Sequence, residues 1–154
     1  MDALLEESTE ALEYFPAQPL VYLLNGFALM ANEQYEQAVE ILEGGREFAL
    51  GNKPLQAQFD SYLGDTYHQI GNDKKSDTYY EKALAFDDNN AVVLNNLAYY
   101  LSVRGEKLDK AEEYSRKSNE LSPNNGTYQD TYAWVLYKLG RYDEALSWIQ
   151  KAVA

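Results

Sequence analysis

The stretch "LGDTYHQIGNDKKSDTYYEKALAFDDNN", residues 63–90, decides the fold of this chain. Gly64 lies in its first half, Gly71 interrupts it, and Tyr80 and Ala83 follow in its second half. A glycine inside a helix costs about 1 kcal/mol relative to alanine, so Gly64 implies a close contact that a Cβ would block. Gly71 fits a helix end, where left-handed backbone is often needed. The stretch therefore predicts two packed helices joined by a turn at Gly71.

The same spacing recurs along the chain at intervals of about 34 residues, which is typical of a helical repeat. The residues that align with Gly64 are Gly26, Ala98 and Ala133, and those that align with Gly71 are Gly105, Gly140 and, once, Glu33. Two further aligned sets of small residues are Ala38, Ser76, Ala111 and Ala145, and Gly45, Ala83, Ser118 and Ala152. The repeats become 19–52, 57–90, 91–125 and 126–154, with an insert over 53–56 and a preceding half repeat over 1–18.

Each repeat is too short to bury its own apolar face, so the pattern predicts one domain over 1–154 that is stabilised by stacking of neighbouring repeats. Nine helices are expected, at about 2–14, 19–31, 35–49, 55–70, 74–86, 91–104, 108–121, 126–139 and 142–153.

The segments "LGDTYHQIGN…YYEKALAFDDNN" and "YAWVLYKLGRYDEALSWIQKAV" resemble the tetratricopeptide repeat (TPR) family. The sequence departs from the family pattern at Glu33, Leu50 and Asp88. The resemblance implies an all-α fold, a right-handed superhelical solenoid of antiparallel helix pairs. It also implies a concave groove that is lined by the first helix of each repeat.

Carrying the family register onto this sequence predicts which side chains face the groove. They are Leu23, Phe27, Met30, Ser61, Asp65, His68, Asn95, Tyr99, Asp130, Trp134 and Tyr137. We expect a partner segment to lie across Asp65, Tyr99, Asp130 and Trp134, because aromatic side chains make good binding anchors and the two carboxylates suit a basic ligand. The alternative for Leu23, Phe27 and Met30 is that they belong to the core, and for His68 that it makes a local hydrogen bond.

Co-chaperone members of the family hold a terminal carboxylate of their ligand with a clamp of lysine, asparagine and arginine side chains. In this sequence the corresponding positions hold Leu23, Phe27, Gln58, Tyr62 and Asn96. The clamp is not present in the sequence, which disfavours binding of chaperone C-termini.

The net charge of −12 disfavours nucleic acids and anionic membranes and favours a neutral or basic protein or peptide partner. The sequence has no cysteine and one histidine, so it predicts no metal site and no cofactor. It contains neither a nucleophile elbow nor a phosphate-binding loop, and we expect no enzymatic activity. No apolar run reaches the roughly 20 residues that span a bilayer, which argues against direct membrane insertion.

The leading functional prediction is therefore a non-catalytic scaffold for protein–protein interaction. The alternative is a structural spacer or self-assembly module of a larger, envelope-associated protein, with homo-oligomers forming through the ends of the solenoid. The incomplete repeats at both ends and the style of "DTYAWVLYKLGRYDEAL" predict a piece of a longer bacterial protein. A cytoplasmic and a periplasmic location both remain open.

Overall fold

The computed structural model describes residues 3–154, and within this range the backbone forms nine α-helices and no strand. The helices are α1 (Ala3–Tyr14), α2 (Pro19–Ala31), α3 (Tyr35–Phe48), α4 (Lys53–Gln69), α5 (Asp73–Phe86), α6 (Ala91–Arg104), α7 (Leu108–Leu121), α8 (Gly126–Lys138) and α9 (Tyr142–Ala152). The tightest packing lies within the pairs α2–α3, α4–α5, α6–α7 and α8–α9. Each repeat thus contributes one packed helix pair, as its spacing predicts.

The helix bounds agree with the predicted ones to within two residues, and the largest difference is at α4, which begins at Lys53 rather than at residue 55. Residues 53–56, the predicted insert between two repeats, form the first turn of α4. Asn52 caps this helix, because its side chain accepts a hydrogen bond from the backbone N–H of Leu55 at 3.2 Å. Pro54 occupies the first turn, where a helix needs no backbone N–H donor.

The turns within the helix pairs adopt the left-handed conformation that the aligned glycines predict. Gly105 ends α6 with φ of 72°, and its N–H bonds to the carbonyl of Ser102 at 3.1 Å. Glu33 holds the equivalent position after α2 with φ of 58°, which is strained for a residue with a Cβ. Lys107, with φ of 45°, is a second such residue that the spacing did not predict.

The chain divides into two compact units, Met1–Phe86 and Asp87–Ala154, whose described helices are α1–α5 and α6–α9. In the first unit, the small residues Gly26 and Gly64 lie directly against the side chains of Leu42 and Tyr80. The hydroxyl of Ser76 donates to the carbonyl of Gly64 at 2.8 Å. The predicted role of small residues in close helix packing is confirmed here. A core cluster of this unit comprises Leu42, Ala49, Leu55, Phe59, Leu63 and Tyr67.

In the second unit, α8 contacts α6, α7 and α9 and holds much of the core. Val135 and Leu136 of α8 are fully buried, and Tyr132 packs edge-on against Trp148 of α9 at a centroid distance of 4.8 Å. This packing fixes which face of α8 remains available to solvent.

Candidate functional site

A pocket of about 490 Å³ lies in the second unit, among α6, α8 and α9. Its lining residues are Tyr99, Asp130, Ala133, Trp134, Tyr137, Tyr142, Ala145, Leu146 and Ile149. We call it the aromatic pocket, because four of these side chains are aromatic. A cavity of this size falls within the range of sites that hold small ligands or single side chains.

Helix α8 supplies one wall because of its spacing. Asp130, Trp134 and Tyr137 follow one another at intervals of four and three residues, so they lie on one face of the helix. The side chain of Asn125 accepts a hydrogen bond from the N–H of Tyr128 at 3.2 Å and fixes where this helix begins.

The aromatic rings of the pocket form a connected row. Trp134 and Tyr137 stack at 5.6 Å between centroids with an angle of 22°, and Tyr137 meets Tyr142 at 5.4 Å with an angle of 58°. Tyr99, Trp134, Tyr137 and Tyr142 are 45%, 38%, 53% and 62% exposed. Large aromatic side chains gathered at this exposure mark a surface that can bury apolar area on binding.

The electrostatics of the pocket depend on Asp130, which is the one charged side chain among its nine lining residues. Asp130 is exposed and makes no ion pair or hydrogen bond through its side chain within residues 3–154. A cation lies near one of the rings, since Nζ of Lys138 is 5.2 Å from the centroid of Trp134.

Four of the predicted groove residues thus come together in one place: Tyr99, Asp130, Trp134 and Tyr137. Asn95, on the same helix as Tyr99, is only 5% exposed and offers a partner almost no surface. Its amide lies beside the side chain of Asn96, with Nδ2 at 3.5 Å from Oδ1.

The other predicted residues lie in the first unit and are not part of this pocket. Phe27 is 46% exposed and its ring lies 6.0 Å from that of Tyr62. Leu23 and Met30 are partly buried and pack against the core of the unit, in line with the alternative that they belong to the core.

Ser61, Asp65 and His68 are also half-buried in the first unit. The hydroxyl of Tyr80 donates a hydrogen bond to the carboxylate of Asp65. His68 lies near Asp73, with Nδ1 at 3.4 Å from Oδ1. Asp65 therefore has a partner within its own unit, and the predicted path of a ligand from Asp65 to Tyr99 stays a prediction.

Sequence reasoning missed the wall that α9 contributes. Tyr142, Leu146 and Ile149 line the pocket, although the family register assigns the groove to first helices alone. The available signal was their spacing of four and three residues, which places three large apolar side chains on one face of α9.

The described residues contain neither a metal-binding cluster nor a membrane-spanning helix. No group of three or more histidine, aspartate or glutamate side chains within residues 3–154 is arranged to hold a metal ion. None of the nine described helices combines the length and the apolar character that crossing a bilayer requires.

Three family models, each described as tetratricopeptide repeat, match residues 63–90, 79–113 and 128–154. The chain belongs to the tetratricopeptide repeat family. The TPR repeat-containing protein PA4667 of Pseudomonas aeruginosa is 26% identical over 137 residues, which cover 86% of this chain. The chain spans only 22% of the length of that relative.

Solved structures of TPR proteins share the fold. The crystal structure of MamA protein matches with a TM-score of 0.80 and 21% identity, covering 97% of this chain and 79% of that one. The structure of YrrB, described as a TPR protein with an unusual peptide-binding site, matches with a TM-score of 0.76 and 19% identity, covering 97% and 74%. The predicted fold class, an all-α TPR solenoid, is confirmed by these neighbours.

Proposed function

We propose that this TPR chain is a non-catalytic scaffold that binds a segment of a partner protein, with the aromatic pocket as the principal anchor site. The observation that carries the proposal is the convergence of Tyr99, Trp134, Tyr137 and Tyr142 around a cavity of about 490 Å³. One structural neighbour favours the same class of function, because YrrB is described as a TPR protein with an unusual peptide-binding site.

The physical basis of binding is burial of exposed aromatic surface. Tryptophan and tyrosine are enriched among the few residues that dominate protein interfaces, where truncation to alanine costs about 2 kcal/mol or more. Trp134 and Tyr137 are already stacked, so little side-chain entropy is lost when a ligand orders them. The acidic chain, with a net charge of −12, favours a neutral or basic partner.

The test is selection of peptides from a random displayed library on the immobilised chain, followed by affinity measurement for the selected peptides. Trp134→Ala combined with Tyr137→Ala is expected to weaken binding at least tenfold, as loss of about 1.4 kcal/mol would produce. The matched control is Tyr14→Ala with Phe15→Ala, which removes two exposed aromatic side chains from the first unit. Equal loss in both variants, or in neither, would remove the pocket from the binding site.

The alternative function is self-assembly as part of a larger protein, and one observation favours it. Tyr142, Leu146 and Val153 on or after α9 are 62%, 57% and 78% exposed, which leaves an apolar surface at this helix. Sedimentation at increasing concentration tests this alternative, and Leu146→Glu is the variant that should abolish any association. A monomer at every concentration would eliminate it.

A further inference from the structure

We propose that the aromatic pocket recognises a positively charged side chain, lysine or arginine, of the bound segment. This inference rests on the proposed function and specifies the chemistry of the anchor. Three features support it: the aromatic rings, the carboxylate of Asp130 and the net charge of −12.

The rings provide the first element of the site. The π face of an aromatic ring carries negative potential, and tryptophan attracts cations more strongly than tyrosine or phenylalanine. Trp134 already holds one ammonium group near its ring, that of Lys138 at 5.2 Å from the centroid. Tyr99, Tyr137 and Tyr142 add further ring surface around the same cavity.

The carboxylate of Asp130 provides the second element. It lines the pocket and has no side-chain partner within residues 3–154, so its charge is available to a ligand. A cationic side chain in the pocket contacts the rings with its aliphatic stem and the carboxylate of Asp130 with its charged end. Lysine and arginine have this two-part character.

Other anchors fit this lining less well. A purely apolar side chain would cover the rings but would also desolvate the carboxylate of Asp130 without replacing its hydration. An acidic side chain would be repelled by Asp130, and no lining residue is basic. The net charge of −12 raises the local concentration of cationic segments over the whole surface.

Lys138 adds a specific consequence. Its ammonium group uses part of the cation-binding capacity of Trp134 and repels a second cation. Lys138→Gln is therefore expected to strengthen binding of a lysine-containing ligand, whereas it has no such effect on a neutral ligand of the same shape.

The experiment is an NMR titration of the intact chain that follows the indole N–H of Trp134, assigned by comparison with Trp148→Phe. The probes are capped alanine pentapeptides with a central lysine, arginine or norleucine, the last being an uncharged analogue of lysine. We expect the lysine and arginine peptides to bind about three- to fivefold more tightly than the norleucine peptide. Asp130→Asn should remove most of this difference, and Lys138→Gln should tighten lysine binding about twofold.

The matched control is Glu113→Gln, which removes one carboxylate from an exposed position on α7 outside the pocket. It should leave the preference for lysine over norleucine unchanged. Norleucine binding as tightly as lysine would overturn the cationic anchor, and so would Asp130→Asn behaving like Glu113→Gln. The cationic anchor would also be overturned if none of the peptides shifted the indole N–H signal of Trp134. The same holds if that signal shifted with protein concentration and not with added peptide.

These outcomes separate the inference from the proposed function. If library peptides still require Trp134 and Tyr137 while norleucine equals lysine, the scaffold function stands and only the cationic anchor is lost. If the library peptides do not require the pocket, the proposed function fails at this site, whatever the pentapeptides do.

Discussion

A Cβ added to Gly64 would lie 2.6 Å from Cδ1 of Tyr80, a separation that real side chains do not tolerate. Tyr80 is fully buried, and its hydroxyl donates a hydrogen bond to Asp65 one residue after the glycine. The ring packs against Gly64 and its hydroxyl is hydrogen-bonded to Asp65, so the side chain has little freedom to move away. The small residue and the large one together set how closely α4 and α5 approach.

Gly64→Ala should therefore destabilise the fold, although alanine is the better helix former. We expect a loss of about 1–3 kcal/mol in the free energy of unfolding, measured by urea denaturation, because the added methyl overpacks the α4–α5 contact. The control is Gly44→Ala in α3, where the nearest atom to a new Cβ is Cε1 of Tyr22 at 3.9 Å. That variant should gain up to about 1 kcal/mol from helix propensity. Changes of the same sign in both variants would refute this account of Gly64.

Asp60→Ala should cost about 3 kcal/mol, because it breaks a largely buried ion pair. Asp60 is 3% exposed, and Arg46 contacts its two carboxylate oxygens at 2.6 and 3.2 Å. The hydrogen bond to Asp60 also raises the pKa of Arg46. Thermal unfolding of Arg46→Met, of Asp60→Leu and of the double variant that combines them tests the pair. The double variant should recover part of the loss, since no buried charge is left without a partner, and a loss equal to the sum of two independent single effects would contradict this.

Glu33→Gly is expected to stabilise the chain by about 0.5–1 kcal/mol. Glu33 has φ of 58°, a left-handed conformation that glycine adopts without a steric cost. The matched variant Glu40→Gly also replaces an exposed glutamate, but within α3, and it should destabilise by about 1 kcal/mol. Chemical denaturation of the two variants gives the change in the free energy of unfolding for each. A destabilised Glu33→Gly would show that the side chain of Glu33 contributes more to stability than its backbone conformation costs.

Tyr79 should lose its proton late in an alkaline titration. Burial, together with the nearby carboxylate of Glu43, raises the pKa of Tyr79 to about 12. Since a free tyrosine titrates near pH 10, the unfolded chain loses this proton first. The contribution to stability is complete below about pH 10 and is lost as the pH rises towards about 12.

Phenolate absorbance and alkaline unfolding measure these two effects. Tyr79→Phe should remove a late step of the titration and flatten the loss of stability in that range. Glu43→Gln should bring the pKa of Tyr79 closer to its ordinary value. Tyr142→Phe removes an exposed phenol instead and should keep the late step, and its disappearance in that variant would refute the assignment to Tyr79.

The repeat spacing predicted the helices and turns well because the relevant signals are local. Gly105 ends a helix through its own backbone conformation. The spacing of apolar residues along α8 defines which face of that helix is buried, independently of the helix that packs against it. The part of the pocket that lies on first helices, such as Asp130 and Trp134, followed from the register of the tetratricopeptide repeat family carried onto this sequence.

The sequence by itself thus determined the helix pairs, since these depend on spacing within each helix and on its recurrence about every 34 residues. Its resemblance to the tetratricopeptide repeat family supplied the fold class and one wall of the aromatic pocket. Only the tertiary structure decided that Tyr142 and Leu146 of α9 complete the pocket and that Asn95 is buried. It also decided that the hydroxyl of Tyr80 donates a hydrogen bond to the carboxylate of Asp65. Those facts depend on where side chains from different helices meet, and that is set by the packing of whole helices rather than by the order of residues along any one of them.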